Sequence, residues 1–345
     1  MTQTVNFAEL RAVLSAVPGV DVELNAPAGP LCTYRVGGPI ALLARVENAT
    51  ALAALAAVVA QRGETLAYLP LGKGSNLLIS DAGFDGLGIV LGPEFATIDV
   101  LEDDALVTAG ASAPLPLVAR ATVRAGLTGF EWAVGVPGTI GGGVFMNAGG
   151  HGSDMAANLV SVEVVDMHTG ERNTLTAPDL ALGYRTSNLS AHQLVTSATL
   201  QLDTGDATQG AEELSEIVKW RRAHQPGGQN AGSVFTNPPD DSAGRLIDEA
   251  GLKGLRVGTA EVSTVHANFI QVDPNGSADD VMALMREIVA TVDATFGVHL
   301  HAETRLIGFR SDAIDDVQPG RVDPKPSQHS SKNEPATESM TDTAS

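Results

Sequence analysis

The spacing of apolar residues predicts helices along much of the chain, most clearly near its C-terminal end. Between Ser277 and Gly297 apolar residues recur every three or four positions, which predicts an amphipathic helix. Ser277 with Asp280 resembles a capping box at its start, and Gly297 suits its end. Similar patterns predict further helices near the N-terminus and at Thr50–Arg62, Ser112–Gly126, Glu212–Ala223 and Ala243–Ala250.

Short apolar runs bounded by turn residues predict strands interleaved with these helices. They are Leu42–Val46, Leu66–Leu71, Gly88–Leu91, Ala96–Val100, Ala105–Ala109, Leu159–Met167, Glu171–Leu175 and Leu194–Leu202. The turn His168–Gly170 predicts a hairpin between two of them. A final alternating strand is expected at His299–Phe309, with Glu303 and Arg305 on one face. The interleaved order indicates a protein of mixed α and β structure without internal repeats.

Two polar stretches divide the chain. The small, polar segment 203–211 predicts a domain boundary. Residues 311–345 contain no aromatic residue and are rich in Ser, Pro, Asp and Thr. Such a segment buries too little apolar surface to offset its ordering entropy, so we expect it to be a disordered acidic tail that aids solubility.

The amino-acid composition disfavours several classes of protein. The chain has 345 residues, 43% of them hydrophobic, and a formal net charge of −20. That charge disfavours nucleic-acid binding, which needs a basic surface. No apolar run approaches the roughly 18 residues of a membrane span, so no membrane insertion is expected. Cys32 is the only cysteine, which rules out an intrachain disulfide and, with an N-terminus that lacks a basic n-region, favours the cytoplasm.

Two glycine-rich segments are candidates for ligand contact. Gly135–Gly152 reads GVPGTIGGGVFMNAGGHG and indicates a loop whose backbone bends sharply or lets a ligand approach closely. Leu69–Ser80 reads LPLGKGSNLLIS, a strand followed by a turn whose N–H groups suit a pyrophosphate. It has neither Walker A spacing nor a full dinucleotide fingerprint, and alone a structural turn is the better interpretation. Together the two segments favour one shared dinucleotide.

Three further positions carry candidate chemistry, each beside a plain alternative. Arg185, in a Tyr-Arg-Thr-Ser run, suits a carboxylate or phosphate clamp, or is a surface arginine. Ser233 follows Gly232 and is either poised for chemistry or a turn residue; without a G-x-S-x-G elbow, hydrolase chemistry is disfavoured. Glu303 is a candidate acid–base group or an ion-pair partner of Arg305. No Cys or H-E-x-x-H partner supports a metal at the His299–His301 pair, so no metal site is expected.

Eight motifs occur in one order that is similar to the family of UDP-N-acetylenolpyruvoylglucosamine reductases. They are TYRVGG (33–38), LPLGKGSNLLISDAGFDGL (69–87), GVPGTIGGGVFMNAGGHG (135–152), LGYRTS (182–187), AGSVFTNPP (231–239), AGRLIDEAGLKG (243–254), VHANFI (265–270) and AETRLIG (302–308). Eight ordered blocks across residues 20–309 are far more specific than any one of them.

The resemblance implies an α+β architecture. It consists of a two-subdomain FAD-binding fold of the vanillyl-alcohol-oxidase/PCMH type and a C-terminal α+β substrate-binding domain. The expected divisions are an N-terminal helix in 1–19, FAD subdomains at 20–93 and 94–205, the substrate domain at 206–310 and the tail at 311–345. It also implies a monomeric enzyme with non-covalent FAD, NADPH as the hydride donor, and a UDP-sugar enolpyruvyl ether as the small-molecule substrate.

The resemblance assigns roles to residues. Arg185 and Glu303 match the family residues that stabilise negative charge on the substrate, which requires a protonated or proton-bridged Glu303. Ser233 matches the residue that donates a proton to carbon. FAD is expected against Tyr34, Gly72, Gly74, Ser75, Asn76, Pro137, Gly138, Thr139, Gly142, Gly143 and Asn147. Weaker candidates for substrate contact are Tyr184, Lys219, Asn237, His266 and Asn268.

Two departures from the family pattern bear on the substrate diphosphate. The longer class of the family carries a tyrosine lid, whereas no tyrosine lies between Arg185 and Ser233 here, as in the shorter class. Thr236 stands where a basic residue is frequent in the family.

The residues leave two other functions open. One is an oxidase of the same scaffold with covalently bound flavin, and the other is a sugar-nucleotide sensor without catalysis.

Overall fold

A computed structural model describes residues 5–62 and 66–318, and its first unit pairs helices with a mixed sheet. Its elements are α1 (Phe7–Leu14), β1 (Val20–Pro27), β2 (Pro39–Val46), α2 (Ala49–Arg62), β3 (Tyr68–Leu71), β4 (Leu77–Ile79) and β5 (Phe84–Leu91). The sheet has the order β1-β2-β5-β3; β1 is antiparallel to β2, and β5 is parallel to both of its neighbours. The Ala- and Leu-rich face of α2 is buried together with one face of the sheet, including Leu42 and Leu87.

The second unit is built on an antiparallel five-stranded sheet. Its elements are β6 (Ile98–Leu101), β7 (Leu106–Gly110), α3 (Leu115–Arg124), β8 (Leu127–Thr128), α4 (Ile140–Phe145), β9 (Gly149–Gly150), β10 (Ser153–Asp154), β11 (Leu159–Asp166), β12 (Arg172–Thr176), α5 (Ala177–Leu180), β13 (Gln193–Gln201), β14 (Asp203–Thr204) and α6 (Ala207–His224). The order is β12-β11-β13-β7-β6. The predicted hairpin is confirmed as β11 and β12.

The third unit packs a long helix on a small antiparallel sheet of order β15-β16-β17. Its elements are α7 (Ala243–Glu249), β15 (Arg256–Val257), β16 (Ala260–Val262), β17 (Ile270–Val272), α8 (Ala278–Phe296), β18 (Arg305–Ile307) and α9 (Ser311–Asp315). The apolar stripe of α8 is buried, as its spacing predicts. Strand β18 leaves this unit and pairs in parallel with β4 of the first unit, so the end of the chain ties the two together.

Two local predictions near the candidate site are wrong. The strand expected at His299–Phe309 is regular only at Arg305–Ile307. Its earlier part bonds to the loop at 234–236 instead, since Thr236 N–H donates to the His301 carbonyl (2.9 Å) and Glu303 N–H to the Val234 carbonyl (2.7 Å). The glycine block is also not entirely loop, because Ile140–Phe145 forms the short helix α4.

The boundary and the tail also differ from expectation. Helix α6 begins inside the predicted boundary segment, where the Asp206 carboxylate caps the N–H groups of Thr208 and Gln209. Its buried Leu214 and Ile217 belong to the second core, whereas the third core contains residues from Ala231 onward. That packing places α6 with the second unit rather than with the expected 206–310 domain.

The start of the predicted disordered tail is ordered. Residues Ser311–Asp315 form α9, and Val317 is fully buried in the third core. The Val317 carbonyl accepts a hydrogen bond from Ala302 N–H (2.8 Å). The rest of the predicted tail, 319–345, lies outside the described residues. Across the described ranges, no helix has the length and apolar character needed to cross a bilayer.

Candidate active site

The structure brings the three predicted catalytic residues to the junction of its units. Ser233 lies on the loop that precedes α7, and Glu303 lies just before β18. The Val234 carbonyl, next to Ser233, accepts hydrogen bonds from the N–H groups of Glu303 (2.7 Å) and Thr304 (3.3 Å). This pairing sets Ser233 and Glu303 on adjacent backbone segments, although they are 70 positions apart in the sequence.

Arg185 and Glu303 form an ion pair across the second and third units. Arg185 Nε lies 2.6 Å from Glu303 Oε1, and the two side chains are only 24% and 14% exposed. The Arg185 N–H is not aimed at that oxygen in hydrogen-bonding geometry, so charge attraction dominates the contact. The expected alternative, an ion pair between Glu303 and Arg305, is therefore replaced by a pair with Arg185.

Burial changes the acidity of the carboxyl group in this pair. Removal of Glu303 from solvent raises its pKa above the ordinary glutamate value, and the neighbouring Arg185 guanidinium partly opposes that rise. Desolvation is the larger of the two effects. The geometry therefore favours a glutamate that keeps its proton to higher pH than an exposed one.

Arg185 is held by a tight turn in the second unit. Its φ of +58° lies in the left-handed region, and Gly183 and Thr186 bond to each other across the turn. Its guanidinium also donates to the Gly149 carbonyl (3.2 Å), and it lies 5.3 Å from the centre of the exposed Tyr184 ring. The conformation is strained for a non-glycine residue, so the surrounding contacts must hold it in place.

Asn147 supplies one of those contacts. Its Nδ2 donates to the Gly183 carbonyl (2.9 Å) and to the Asp154 carboxylate (3.1 Å), and its Oδ1 accepts from Ala156 N–H (2.9 Å). The side chain, expected from the resemblance to contact FAD, is thus committed to protein partners. It links the glycine block to the turn that carries Arg185.

Asn268 fixes the loop that carries Ser233. Its side chain accepts from Phe235 N–H (3.0 Å) and donates to the Phe235 carbonyl (2.8 Å), while its carbonyl accepts from Val234 N–H (2.9 Å). Asn268 is only 4% exposed. This expected substrate contact is therefore placed behind the loop, as its support. Gly232 has a φ of +79° and open space around it, which turns the chain just before Ser233.

The two glycine-rich segments face each other, as they were expected to do. A Cβ at Gly72 would lie 2.5 Å from Thr139 Oγ1, and one at Gly138 would lie 3.6 Å from Ser75 Oγ. A Cβ at Gly74 would collide with the Leu31 carbonyl oxygen. The first turn and the segment leading into α4 therefore lie close together, where Thr139 and Ser75 of one segment face glycines of the other. A glycine-rich turn of this kind suits a pyrophosphate.

Asn76 connects this glycine cradle, residues 72–76 with 137–143, to the catalytic side. Its Nδ2 donates to the Glu303 carbonyl (3.2 Å), and its own carbonyl accepts from Arg305 N–H (3.0 Å). The Arg305 guanidinium lies 4.7 Å from the centre of the Phe145 ring on α4. The cradle and the candidate catalytic residue Glu303 consequently share one hydrogen-bonded framework.

Among the residues expected to contact the cofactor, Tyr34 has the position that differs most from those of the others. It is fully buried against the third core, and its hydroxyl has no hydrogen-bond partner among the described residues. Burial raises its pKa. The preceding residue, Thr33, donates its N–H to the Gly74 carbonyl (3.2 Å), which places Tyr34 behind the cradle.

Cys32 is also buried, and burial raises the pKa of its thiol, as for an unreactive core cysteine.

Two open cavities of about 400 Å³ lie on the second unit. One is lined by Asn147, Gly149, Gly150, Gly152, Ser153, Asp154, Ala157, Tyr184 and Arg185. The other is lined by Val134, Val218, Arg221, Arg222, Gln225, Pro226 and Gly227. Arg221 and Arg222 were not among the residues predicted from the sequence. The basic residues in the run Lys219–Arg222, at the end of α6, could have indicated them.

The remaining predicted substrate contacts are not gathered in either cavity. Lys219 is exposed on α6, and Asn237 is exposed with its Oδ1 accepting from Ala243 N–H (3.1 Å). His266 is half-buried; its Nδ1 accepts from Asn268 N–H (3.2 Å), and burial lowers its pKa. Asn237 thus contributes to the start of α7, and His266 supports the same loop residue that positions Ser233.

Comparisons with known proteins agree with this arrangement of units. Residues 40–176 match the family described as an FAD binding domain, and residues 224–307 match the C-terminal domain of UDP-N-acetylenolpyruvoylglucosamine reductase. The second match begins at the end of α6, close to where the third core begins.

Whole-chain relatives carry the same name. The chain is 39% identical over 292 residues to a UDP-N-acetylenolpyruvoylglucosamine reductase of Synechococcus sp. strain RCC307, covering 84% of this chain and 95% of that one. It is 41% identical over 278 residues to a second such reductase of Symbiobacterium thermophilum, covering 80% and 89%. The crystal structure of the Thermus caldophilus reductase superposes with a TM-score of 0.70 at 37% identity, covering 84% of this chain and 98% of that one.

Proposed function

The chain belongs to the UDP-N-acetylenolpyruvoylglucosamine reductase family, and on that premise we propose that Arg185, Ser233 and Glu303 carry out its reaction. The protein is an NADPH-dependent flavin oxidoreductase of peptidoglycan precursor synthesis. It reduces the enolpyruvyl ether of UDP-N-acetylglucosamine to UDP-N-acetylmuramate. The site residues and their roles are the proposal.

The glycine cradle would hold FAD without a covalent bond. Gly72, Gly74 and Gly138 allow the backbone to approach the pyrophosphate, while Ser75 and Thr139 offer hydroxyl groups. The close approach of the two segments supports this assignment. Pro137, Gly142, Gly143 and Asn76 shape the same surface, and Tyr34 supports it from behind. When bound, FAD supplies the hydride that it receives from NADPH.

Arg185 and Glu303 stabilise the negative charge that develops on the substrate. Hydride addition to a carbon–carbon double bond conjugated with a carboxylate creates an enolate-like state, because charge moves onto the neighbouring carbon and the carboxylate. The Arg185 guanidinium pairs with that charge. Glu303 assists only in its protonated form, as an O–H donor, since an ionised carboxylate would repel the enolate. The raised pKa of Glu303 supports this role.

Ser233 completes the reaction by giving a proton to carbon. A serine hydroxyl is a weak acid, yet a carbanion-like carbon is a strong base, so a correctly positioned O–H is sufficient. The φ of Gly232 and the three Asn268 hydrogen bonds hold the loop rigidly, which supports a positional role for Ser233. Its proton is replaced from solvent after turnover.

Arg221 and Arg222 are candidates to bind the diphosphate of the substrate. They line a cavity of about 410 Å³ on a chain whose net charge is −20. Local cations are needed there, because the overall field repels an anion. Tyr184, Lys219, Asn237 and His266 remain weaker candidates for contact, and Asn268 acts through the loop that it supports.

The observation that supports this function most strongly is the convergence of Arg185, Ser233 and Glu303 beside the cradle. The test is to mix the purified protein with NADPH and the enolpyruvyl substrate and to analyse both flavin and product. We expect one UDP-N-acetylmuramate per NADPH consumed, and FAD that is released completely on denaturation. Flavin that stays on the denatured polypeptide would instead indicate an oxidase of the same scaffold. Substrate binding without NADPH oxidation would indicate a sensor.

We further propose that the protein works as a monomer in the cytoplasm, acting on small molecules. All three catalytic candidates come from one chain, and the ion pair of Arg185 and Glu303 forms within it. Sedimentation at micromolar concentration should give the mass of one 35.5 kDa chain. Activity that requires a heavier species would contradict this.

A further inference from the structure

A cluster of two histidines and one aspartate lies away from the catalytic residues, at one end of the second sheet. Asp166 is the last residue of β11, His168 lies in the turn to β12, and His192 directly precedes β13. One potential ligand atom from each of the three lies within 4.8 Å of the others. The mechanism proposed above uses none of them.

The backbone fixes the positions of the three side chains. Asp166 Oδ1 accepts hydrogen bonds from the N–H groups of His168 (2.8 Å) and Thr169 (3.2 Å), which closes the turn. Met167 N–H donates to the His192 carbonyl (2.8 Å), which joins the turn to the start of β13. The cluster is thus built on paired strands rather than on a mobile loop.

One carboxylate oxygen of Asp166 holds the turn, which leaves the other oxygen for a ligand. While Oδ1 holds the turn, Oδ2 faces His192 Nε2 at 3.6 Å. The two imidazole rings are stacked, with centres 4.1 Å apart and planes 16° apart, so one ring must turn before both can direct a nitrogen at one cation. Ser190 Oγ lies 3.2 Å from His192 Nε2 and offers a further oxygen.

We propose that Asp166, His168 and His192 bind one divalent transition-metal cation of the Zn²⁺ class. Two imidazole nitrogens and one carboxylate oxygen are a donor set that Zn²⁺, Co²⁺ and Ni²⁺ accept readily. Such donors lie about 2.0–2.2 Å from Zn²⁺, so two of them stand at most about 4 Å apart. The binding that we propose requires the exposed His168 ring to turn out of its stack on His192.

The position of the cluster indicates a structural role for this cation. The His168 ring also lies 5.5 Å from the ring of Tyr68, which begins β3 of the first unit. A bound cation would tie the β11–β12 turn to the start of β13 and fix His168 against Tyr68. It would therefore stabilise the contact between the first two units. Binding to the folded state alone raises the unfolding temperature.

The test is calorimetric titration of the tag-free, FAD-loaded protein with ZnCl₂, followed by visible absorbance with CoCl₂. We expect one Zn²⁺ per chain, a higher unfolding temperature with Zn²⁺, and a Co²⁺ spectrum of low coordination number. His168→Ala and His192→Ala should each weaken Zn²⁺ binding roughly tenfold or more. Asp166→Asn, which keeps the acceptor for the turn, should weaken it as well.

The chain contains a matched control. His299 and His301 also form a ring pair, 5.5 Å apart, with Asp293 3.6 Å from His299, but their ligand atoms do not converge on one point. His301→Ala should therefore leave Zn²⁺ affinity unchanged. FAD absorbance and circular dichroism check that each variant is folded. Zn²⁺ affinity that is equal in wild type, His168→Ala and His192→Ala, or no binding to wild type, would overturn the proposal.

Discussion

At the scale of single residues, the candidate site is built around the partly buried contact between Arg185 and Glu303. Arg185 and Glu303 come from different units, and neither is more than one quarter exposed. A buried charge without a partner is unfavourable in free energy, so each of the two side chains keeps the other in place. The sequence indicated both residues, but it left Glu303 either as an acid–base group or as an ion-pair partner of Arg305, because side chains two positions apart share a face in a regular strand.

The pH dependence of the reaction reports the state of Glu303. Since burial raises the pKa of this carboxyl, its protonated form persists to higher pH than in an exposed glutamate. Reoxidation of reduced flavin by the enolpyruvyl substrate should therefore slow as pH rises through that pKa. Glu303→Gln, which cannot ionise, should lack this decline while being slower overall. Stopped-flow flavin absorbance across pH measures both.

Glu261 provides a control for that experiment, because it is a more exposed glutamate paired with Arg256 at 2.6 Å. Glu261→Gln should leave the pH profile of flavin reoxidation unchanged. A profile that is the same in wild type and Glu303→Gln would show that Glu303 does not act through its proton.

Asn147 is expected to act as a positioning residue for Arg185. Asn147→Ala removes three hydrogen bonds and leaves the Gly183 carbonyl without its side-chain donor. The loss should lower the free energy of unfolding by about 1–3 kcal/mol. It should also slow substrate reduction more than NADPH oxidation by the flavin, because the Arg185 turn loses its support. Chemical denaturation and separate half-reaction rates distinguish the two effects.

Asn158→Ala is the matched control in the same unit, since Asn158 makes one longer bond, from its Nδ2 to the Gln201 carbonyl (3.3 Å). It should affect stability less and the half-reactions equally. Equal slowing of both half-reactions in Asn147→Ala would contradict a role through Arg185.

At the scale of elements, periodicity predicts well where one face of an element alone is buried. Helix α8 and the β11–β12 hairpin follow their apolar patterns closely. The segment before β18 does not, because its backbone pairs with a loop of the same unit and then with β4, contacts that local alternation does not reveal. Likewise, the glycines of α4 are poor helix formers, and tertiary packing overrides their propensity.

The contact between the first and third units depends on a capping aspartate. Asp81 follows β4, and its carboxylate accepts from the N–H groups of Ala278 (3.0 Å) and Asp279 (3.2 Å) at the start of α8. Asp81→Ala should lower the free energy of unfolding by about 0.5–2 kcal/mol, as loss of an N-cap does. Denaturant titration followed by circular dichroism measures it.

Asp206→Ala tests whether that effect is specific. It removes the cap of α6, whose buried residues belong to the second core, so it should also destabilise the protein. Only Asp81→Ala should change the accessibility of the junction between α8 and β4 in hydrogen exchange. Identical exchange patterns in the two variants would refute a role for Asp81 between the units.

At the scale of the whole molecule, the candidate site lies where the three units meet. Arg185 belongs to the second unit, Ser233 and Glu303 to the third, and the cradle to the first two. The order of the motifs indicated these residues but not their positions relative to one another, because distances between units do not appear in a linear sequence. The roles of Asn147 and Asn268 as supports became visible only from their hydrogen bonds.

The last described residues, Val317 and Gln318, are part of this assembly. Val317 is fully buried, and its carbonyl and the Gln318 side chain both bond to Ala302, next to Glu303. A chain that ends at residue 310 should lose about 1.5–3 kcal/mol from the buried valine alone, together with activity. A chain that ends at residue 318 should retain both. Thermal unfolding and turnover of the two truncations check this, and equal stability would contradict it.

Ser233 is expected to give the proton that completes reduction of the substrate. Stopped-flow flavin absorbance on Ser233→Ala tests it most directly, with the two half-reactions measured separately. Reduction of the flavin by NADPH should keep its wild-type rate, while reoxidation by the enolpyruvyl substrate should slow about 10²–10⁴-fold. Ser233→Cys, which retains a proton donor, should recover part of that loss. Reoxidation of Ser233→Ala at the wild-type rate would contradict the account.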